Sequence, residues 1–253
     1  MECVSTTTSP PGPGRVVAVI PARLASTRLP RKVLRPIAGR PMLAWVVDAA
    51  RACPQLDDVI VATDSDEVAA LCAQQGWQYR MTSATLQSGT DRVHAVALEV
   101  PADIYVNVQG DEPLLRPEHI TALLQPFSHT AALVSTLRVR CTPENVANPN
   151  AVKVVTDTAG RALYFSRATI PFDRDNAGDI AYWKHIGLYA YRRSALLGFP
   201  ALPASRLEAT ERLEQLRFLE NGIGIHVATT DFDTVGVDTV EDLKRVEILL
   251  KNR

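Results

Sequence analysis

Four times between Val16 and Phe127 a short apolar run gives way to a stretch with helical spacing of its apolar residues. The runs are Val16–Ile20, Asp58–Thr63, Trp77–Thr82 and Asp103–Val108. The stretches are Pro41–Cys53, Asp66–Gln75, Thr90–Val100 and Pro117–Phe127. Short β-branched runs without strict polar alternation read as strands buried on both faces. Gly76, just past the second helix, suits a left-handed C-terminal cap. Strand and helix alternating in this way predicts a parallel sheet with helices on both faces. Such sheets bind ligands beyond the carboxyl ends of their strands, at the switch point of the strand order. That directs attention to the loops after Ile20, Thr82 and Val108.

After Phe127 the pattern turns β-rich. Ala131–Arg140, Ala151–Asp157, Ala162–Ser166 and Ile186–Arg192 read as strands with little helix between them. Leu207–Asn221 then reads as one helix, Ile225–Thr229 as a strand and Val240–Lys251 as a last helix. The fold expected is α/β: a Rossmann-like, mostly parallel sheet flanked by helices, with a β-rich insertion at about 131–195. Residues 1–14, ending in Pro10, Pro11, Gly12, Pro13 and Gly14, read as a disordered tail ahead of one domain over 15–253. The insertion suggests a substrate lid, a dimer surface or both.

A formal net charge of −1 provides no global field for nucleic acid or a membrane surface. No apolar run reaches the ~18 residues that span a bilayer. Cys3, Cys53, Cys72 and Cys141 form no C-x-x-C pair, which reads as reduced thiols in a cytoplasmic protein.

Charge is instead local. No Asp or Glu occurs between Cys3 and Val47, yet that stretch holds Arg15, Arg23, Arg28, Arg31, Lys32, Arg35 and Arg40. Clustered cations are costly unless an anion is expected, and Arg forks and Lys point charges are the usual partners of phosphate. Ser26 and Thr27 add hydroxyl donors. Neither a Walker G-x-x-x-x-G-K-[ST] nor a G-x-G-x-x-G is present, so side chains rather than glycine amides would hold the phosphates. Two carboxylates are placed to hold a metal. Asp111 follows the fourth strand in Asn107-Val108-Gln109-Gly110-Asp111-Glu112-Pro113, where Gly110 would let a ligand approach the backbone. Asp238 lies in Val235-Gly236-Val237-Asp238-Thr239. Two carboxylates plus phosphate oxygens make a normal magnesium site. Asp238 reads equally as the N-cap of the last helix, and Asp111 as a turn carboxylate.

These runs resemble a known family. Ile20-Pro21-Ala22-Arg23, Ser26-Thr27-Arg28-Leu29-Pro30 and Lys32 look like the CTP-binding signature of CMP-Kdo synthetases, the 3-deoxy-manno-octulosonate cytidylyltransferases. Gln87-Ser88-Gly89-Thr90-Asp91-Arg92, NVQGDEP, ALYFSRATIPFDRD from Ala162, KHIGLYAYRR from Lys184, ERLEQLR from Glu211 and GVDT from Gly236 follow in order. The resemblance runs from about Val16 to Val246. It implies a fold of the nucleotide-diphospho-sugar transferase type. It also implies that CTP and Kdo are joined as CMP-Kdo for lipopolysaccharide synthesis, with Mg²⁺ as cofactor and a homodimer as the usual state.

The same resemblance assigns residues. Ala22 would bind CTP and Arg23, Ser26, Arg28 and Lys32 its phosphates, with Arg23, Lys32 and Asp111 catalytic. Gln87, Ser88, Gly89 and Arg92 would shape the cytidine pocket. Asp111 and Asp238 would hold Mg²⁺. Gln109, Arg167, His185, Tyr189, Glu211 and Gln215 would line the Kdo site, Arg167 forking the sugar carboxylate. On pattern alone Tyr189 reads as core, His185 as a structural histidine, and Glu211 with Gln215 as one solvated helix face. The family usually has Gly where this chain has Arg31. The anomeric hydroxyl would attack the α-phosphorus in line, and the sequence points to no dedicated general base. Kdo and its 8-amino relative both remain open as substrates.

Overall fold

The computed structural model describes residues 14–24, 28–175, 178 and 180–251. The expected tail, apart from Gly14, and Ser26 lie outside these residues.

Strand β1 (Val16–Pro21) lies at the middle of the sheet and alternates strictly across it. Val16, Ala18 and Ile20 face one core while Val17 and Val19 face the other. After β1 come a 3-10 turn (Lys32–Leu34), the two-residue strands β2 (Pro36–Ile37) and β3 (Arg40–Pro41), and helix α1 (Met42–Arg51). Strand β4 (Asp58–Thr63), helix α2 (Asp66–Gln75), strand β5 (Gln78–Met81), helix α3 (Gly89–Glu99), strand β6 (Ile104–Asn107) and helix α4 (Pro117–His129) complete the first half. Gly76 caps α2 at φ 66°, as its position predicts. The pairings β1–β4, β1–β6 and β4–β5 are parallel and in register. The chain winds outward through β4 and β5, then returns to the far side of β1 for β6. The switch point is therefore between β1 and β6. Helices α1, α2 and α4 pack on one face, α3 on the other.

The second half supplies β7 (Val134–Arg140), the short helix α5 (Pro143–Val146), β8 (Lys153–Thr156), β9 (Ala162–Ser166) and β10 (Trp183–Arg192). Helices α6 (Arg193–Gly198), α7 (Arg206–Glu211) and α8 (Leu216–Glu220), strand β11 (Ile225–Thr229) and helix α9 (Val240–Lys251) follow. The main path runs β11-β7-β10-β6-β1-β4-β5. The parallel reading holds for β6-β1-β4-β5. However, β10 runs antiparallel to both β6 and β7, so the nine-stranded sheet is mixed. The β-rich stretch 131–195 is accordingly woven into the sheet through β7 and β10, and the β8–β9 hairpin branches from β10.

One expected element is corrected. Leu207–Asn221 is not one helix. Arg212 takes a left-handed conformation (φ 56°) and separates α7 from α8. Glu211 is held by Ser166 Oγ at 2.6 Å and by the Arg167 N–H at 3.0 Å, while Leu213 and Leu216 turn into the core. These tertiary contacts outweigh the helical propensity of the segment.

Candidate functional site

The loops after β1, β5 and β6 meet at the switch point and enclose a cavity of about 600 Å³. Arg23, Arg28 and Lys32 line it from the first loop, Gln87, Ser88, Gly89 and Arg92 from the second, and Gln109, Gly110 and Asp111 from the third. Ala22 is buried and binds the Ala62 carbonyl through its N–H at 2.8 Å, which anchors the start of the basic loop. Gly110 has a different role from the one its position suggests. A Cβ there would lie 2.7 Å from the Pro21 carbonyl oxygen, so the glycine lets the third loop press against β1 rather than against a ligand.

Lys32 is the centre of the cavity floor. Its Nζ donates to Asp111 and, at 3.0 Å, to Asp238 Oδ1. Burial alone would lower its pKa, but the charge and hydrogen bond of Asp111, with those of Asp238, hold it above the usual lysine value. Arg28 pairs with the other oxygen of Asp238 at 3.0 Å. Asp238 is not the helix cap. Thr239 caps α9: its Oγ1 accepts from the Asp242 N–H at 3.1 Å, and Asp242 accepts from the Thr239 N–H at 2.9 Å. The Val237 N–H donates to the Asp111 carbonyl at 2.9 Å, and Val237 packs with Leu29, Ile37, Met42, Val246 and Leu250. This delivers Asp238 to Asp111, and both carboxylates converge on one cation. Among the described residues no cluster of three or more His, Cys, Asp or Glu could hold a metal alone. Two hard-oxygen ligands on one cation position fit a Mg²⁺ that arrives with phosphate oxygens and water.

Arg92 is a buried strut more than a free donor. It pairs with Asp64 at 2.8 Å and binds Thr82 Oγ1 at 2.6 Å, which ties α3 to the loop ends of β4 and β5. Ser88 caps α3 in a capping box with Asp91, whose carboxylate also accepts from the Gln87 N–H. Arg31 sits at φ 57°, the conformation a glycine would adopt freely, and its guanidinium pairs with Glu67 on α2. It is not among the cavity-lining side chains.

A second cavity, of about 760 Å³, shares Arg28 and Asp238 with the first. Arg167, His185, Tyr189 and Gln215 line it. Gln109 lines the first cavity instead. Glu211 lines neither; it buttresses Arg167 and Ser166 from behind. Arg167 spends much of its fork on main-chain carbonyls, those of Glu211 (2.7 Å) and Pro149 (3.0 Å) among them, so it knits two loops of the wall together. Burial, helped by the Lys184 charge, drops His185 to a pKa of about 3, so the ring is neutral. Its Nε2 lies 2.9 Å from Thr136 Oγ1, whose own hydrogen goes to the Leu188 carbonyl at 2.8 Å. The neutral ring is thereby tied through Nε2 to β7. Burial also raises the Tyr189 phenol well above its usual pKa.

Two acids in this wall had no role assigned from sequence. Glu214 accepts from Thr90 Oγ1, joining the first turn of α3 to the second cavity, and burial raises its pKa. Glu112 is buried there, and burial with the adjacent Asp111 charge raises it to about 7. The available signal was adjacency: Glu214 precedes Gln215 and Glu112 follows Asp111.

The site is thus a cationic crevice with two carboxylates, opening into a polar second chamber. The cytidylyltransferase family matches residues 17–227. A 3-deoxy-manno-octulosonate cytidylyltransferase of Koribacter versatilis is 62% identical, over 96% of this chain and 92% of its own length. One from Acidobacterium capsulatum is also 62% identical, over 94% and 97%. Among solved structures, a CMP:2-keto-3-deoxy-manno-octonic acid synthetase complexed with CTP superposes with a TM-score of 0.90 at 42% identity, covering 94% and 99%. A 4-diphosphocytidyl-2C-methyl-D-erythritol synthase from Anaerococcus prevotii, at 14% identity and a TM-score of 0.67, shares the fold. At 62% identity over nearly its whole length, the chain belongs to the 3-deoxy-manno-octulosonate cytidylyltransferase family.

Proposed function

We propose that the chain transfers CMP from CTP to Kdo and releases pyrophosphate, with the nucleotide in the first cavity and the sugar acid in the second. The observation that carries the reading is the shared wall: Arg28 and Asp238 border both chambers, and Asp238 meets Asp111 there across Lys32. A substrate from each side would bring its reacting atom to that wall.

The anomeric hydroxyl of Kdo attacks the α-phosphorus of CTP in line. The bond from the α-phosphorus to the bridging oxygen breaks, and the hydroxyl proton ends on the departing pyrophosphate. Such transfers need positioning and charge neutralisation more than covalent help from the protein. Arg23, Arg28 and Lys32 balance the charge on the leaving group. Arg92, braced by Asp64, holds α3 to the loop after β5, and Asp91, which accepts from the Gln87 and Ser88 N–H groups, fixes the turn from Gln87 to Gly89 against the cytidine. Arg167, His185, Tyr189 and Gln215 orient the sugar acid. Asp111 and Asp238 would hold Mg²⁺, which when bound supplies Lewis-acid polarisation of the α-phosphate. Lys32 then exchanges its carboxylate partners for phosphate oxygens.

The setting follows from the same reading. No helix among the described residues is long and apolar enough to cross a membrane, which suits a cytoplasmic enzyme feeding lipopolysaccharide synthesis. Leu163 on β9 and Phe172 beyond it are well exposed and supply the apolar part of a homodimer contact.

Pyrophosphate release from CTP, Kdo and Mg²⁺ tests the activity directly. Asp111→Ala should lower kcat by roughly 10²-fold or more, the loss of several kcal/mol of charge stabilisation, with an unchanged circular dichroism spectrum. Lys32→Ala should raise the KM for CTP. Near-normal turnover with unchanged magnesium dependence in Asp111→Ala would end the metal assignment.

A further inference from the structure

Among the described residues, three buried side-chain polar atoms have no hydrogen-bond partner: Glu112 Oε2, Gln215 Nε2 and His226 Nδ1. The side chains of the first two line the second cavity. One orphan is an acceptor and the other a donor, which is the pairing a polyhydroxylated ligand would complete. Folds rarely leave buried polar groups unpaired, and those that remain call for an explanation.

A purely structural role fits Glu112 poorly. A carboxyl kept in the interior for stability would be paired with a cation. The cation at hand is Lys184, but its Nζ is engaged by Asp233 Oδ1 at 2.8 Å and by the Thr234 carbonyl at 3.0 Å. The Glu112 carboxyl takes a hydrogen bond from Thr234, and Oε2 is left over. Main-chain bonds hold the residue in place. Its N–H donates to the Gln109 carbonyl at 3.2 Å, and its carbonyl accepts from the Leu115 N–H at 3.0 Å. The residue is thus held in the cavity wall, where Oε2 is covered and unpaired and a turn of the carboxyl would present it to the cavity.

We propose that Glu112 is a sugar-binding residue whose carboxyl turns to accept a hydrogen bond from one hydroxyl of the bound Kdo, making it a specificity determinant beside the nucleotide crevice. A carboxyl oxygen can accept in either protonation state. The inference rests on the reading that Kdo occupies the second cavity. A site built to bond a hydroxyl rejects the analogue that lacks it, because its own group is then left unpaired.

The test is steady-state kinetics of wild type, Glu112→Met and Gln215→Ala with Kdo and its 4-, 5-, 7- and 8-deoxy analogues, alongside thermal melts. The wild type should disfavour one analogue by about tenfold or more in kcat/KM. Glu112→Met, which keeps the side-chain volume and removes the acceptor, should raise the KM for Kdo about tenfold and lose that one penalty. Its KM for CTP should stay within about twofold, and its Tm should hold or rise, because a buried unpaired group has gone. Should the Met variant not fold, Glu112→Leu, which also lacks an acceptor, carries the same comparison. An unchanged analogue profile overturns the proposal. So does a fall in Tm with the KM values for Kdo and CTP rising in parallel. If Gln215→Ala raises the Kdo KM while Glu112→Met does not, the cavity assignment stands and the Glu112 role falls. If neither variant alters the Kdo KM, both fall.

Discussion

Gly110→Ala adds one methyl to the seam between β1 and the loop that carries Asp111. The new Cβ would stand 2.7 Å from the Pro21 carbonyl oxygen, with Ile20 Cγ2 and Val33 Cγ1 each at 3.6 Å. An ordinary carbon–oxygen contact begins near 3.3 Å, so about 0.6 Å must be absorbed. The obstacle is main chain, which cannot swing aside as a side chain can. Gly110 is not among the positive-φ glycines, so the cost is steric. Overpacking of this kind costs about 1–3 kcal/mol, or roughly 2–12 °C in Tm for a chain of this size. The displacement falls between Asp111 on one side and Pro21 to Arg23 on the other, the two halves of the proposed phosphate and metal grip. A misplacement of about 1 Å can cost on the order of 10²-fold in rate, so about 0.6 Å predicts a loss of roughly tenfold in kcat. Saturating pyrophosphate-release assays and differential scanning fluorimetry measure both quantities. Gly89→Ala gives the stability comparison, because its Cβ would sit at an ordinary 3.5 Å from Pro21 Cγ and its Tm should hold. Wild-type kcat and Tm in Gly110→Ala would show the seam to be slack and the two loops to be held by something else.

Asp64→Ala should destabilise the fold by at least about 3 kcal/mol, because the buried Arg92 charge loses its counter-ion. Thermal denaturation checks this, and a shift below about 2 °C would contradict it. His185 gives a pH signature. Its native pKa of about 3 lies below the ordinary imidazole value of 6.5, so below pH 6.5 the unfolded chain binds a proton that the native state refuses. Its contribution is complete above that pH and is lost progressively towards pH 3, reaching about 2 kcal/mol at pH 5. Melting curves of wild type and His185→Gln at pH 7.5 and 5 should differ by that component. An identical pH response in the two would remove it.

Local chemistry made much of this molecule legible. The β1 run, the Gly76 cap and the cation cluster without acids each declare themselves within a few residues. The loops named from the strand order are the ones that build the first cavity. What stayed hidden depends on partners distant in the chain. Nothing in Trp183–Arg192 says that it will insert antiparallel between β6 and β7, because strand neighbours are chosen by the closed sheet. The break at Arg212 arises from a Glu211 carboxylate captured by Ser166 and Arg167, so the helical spacing was present and was overruled. Arg31 in a left-handed conformation runs against residue preference. Thr239 rather than Asp238 caps α9, a choice between adjacent good capping residues that only the hydrogen bonds decide.

The docking of Val237 beside Asp111 has a temporal side. One of the two facing carboxylates belongs to a segment that leaves the ribosome after every strand of the sheet. A nascent chain can complete its hydrogen-bonded ladder and still lack half of its acidic pair until the final helix seats on Ile37 and Met42. Turnover then reports on how well that last helix is seated. Loosening Val246 or Leu250 should therefore silence the enzyme before it melts the sheet.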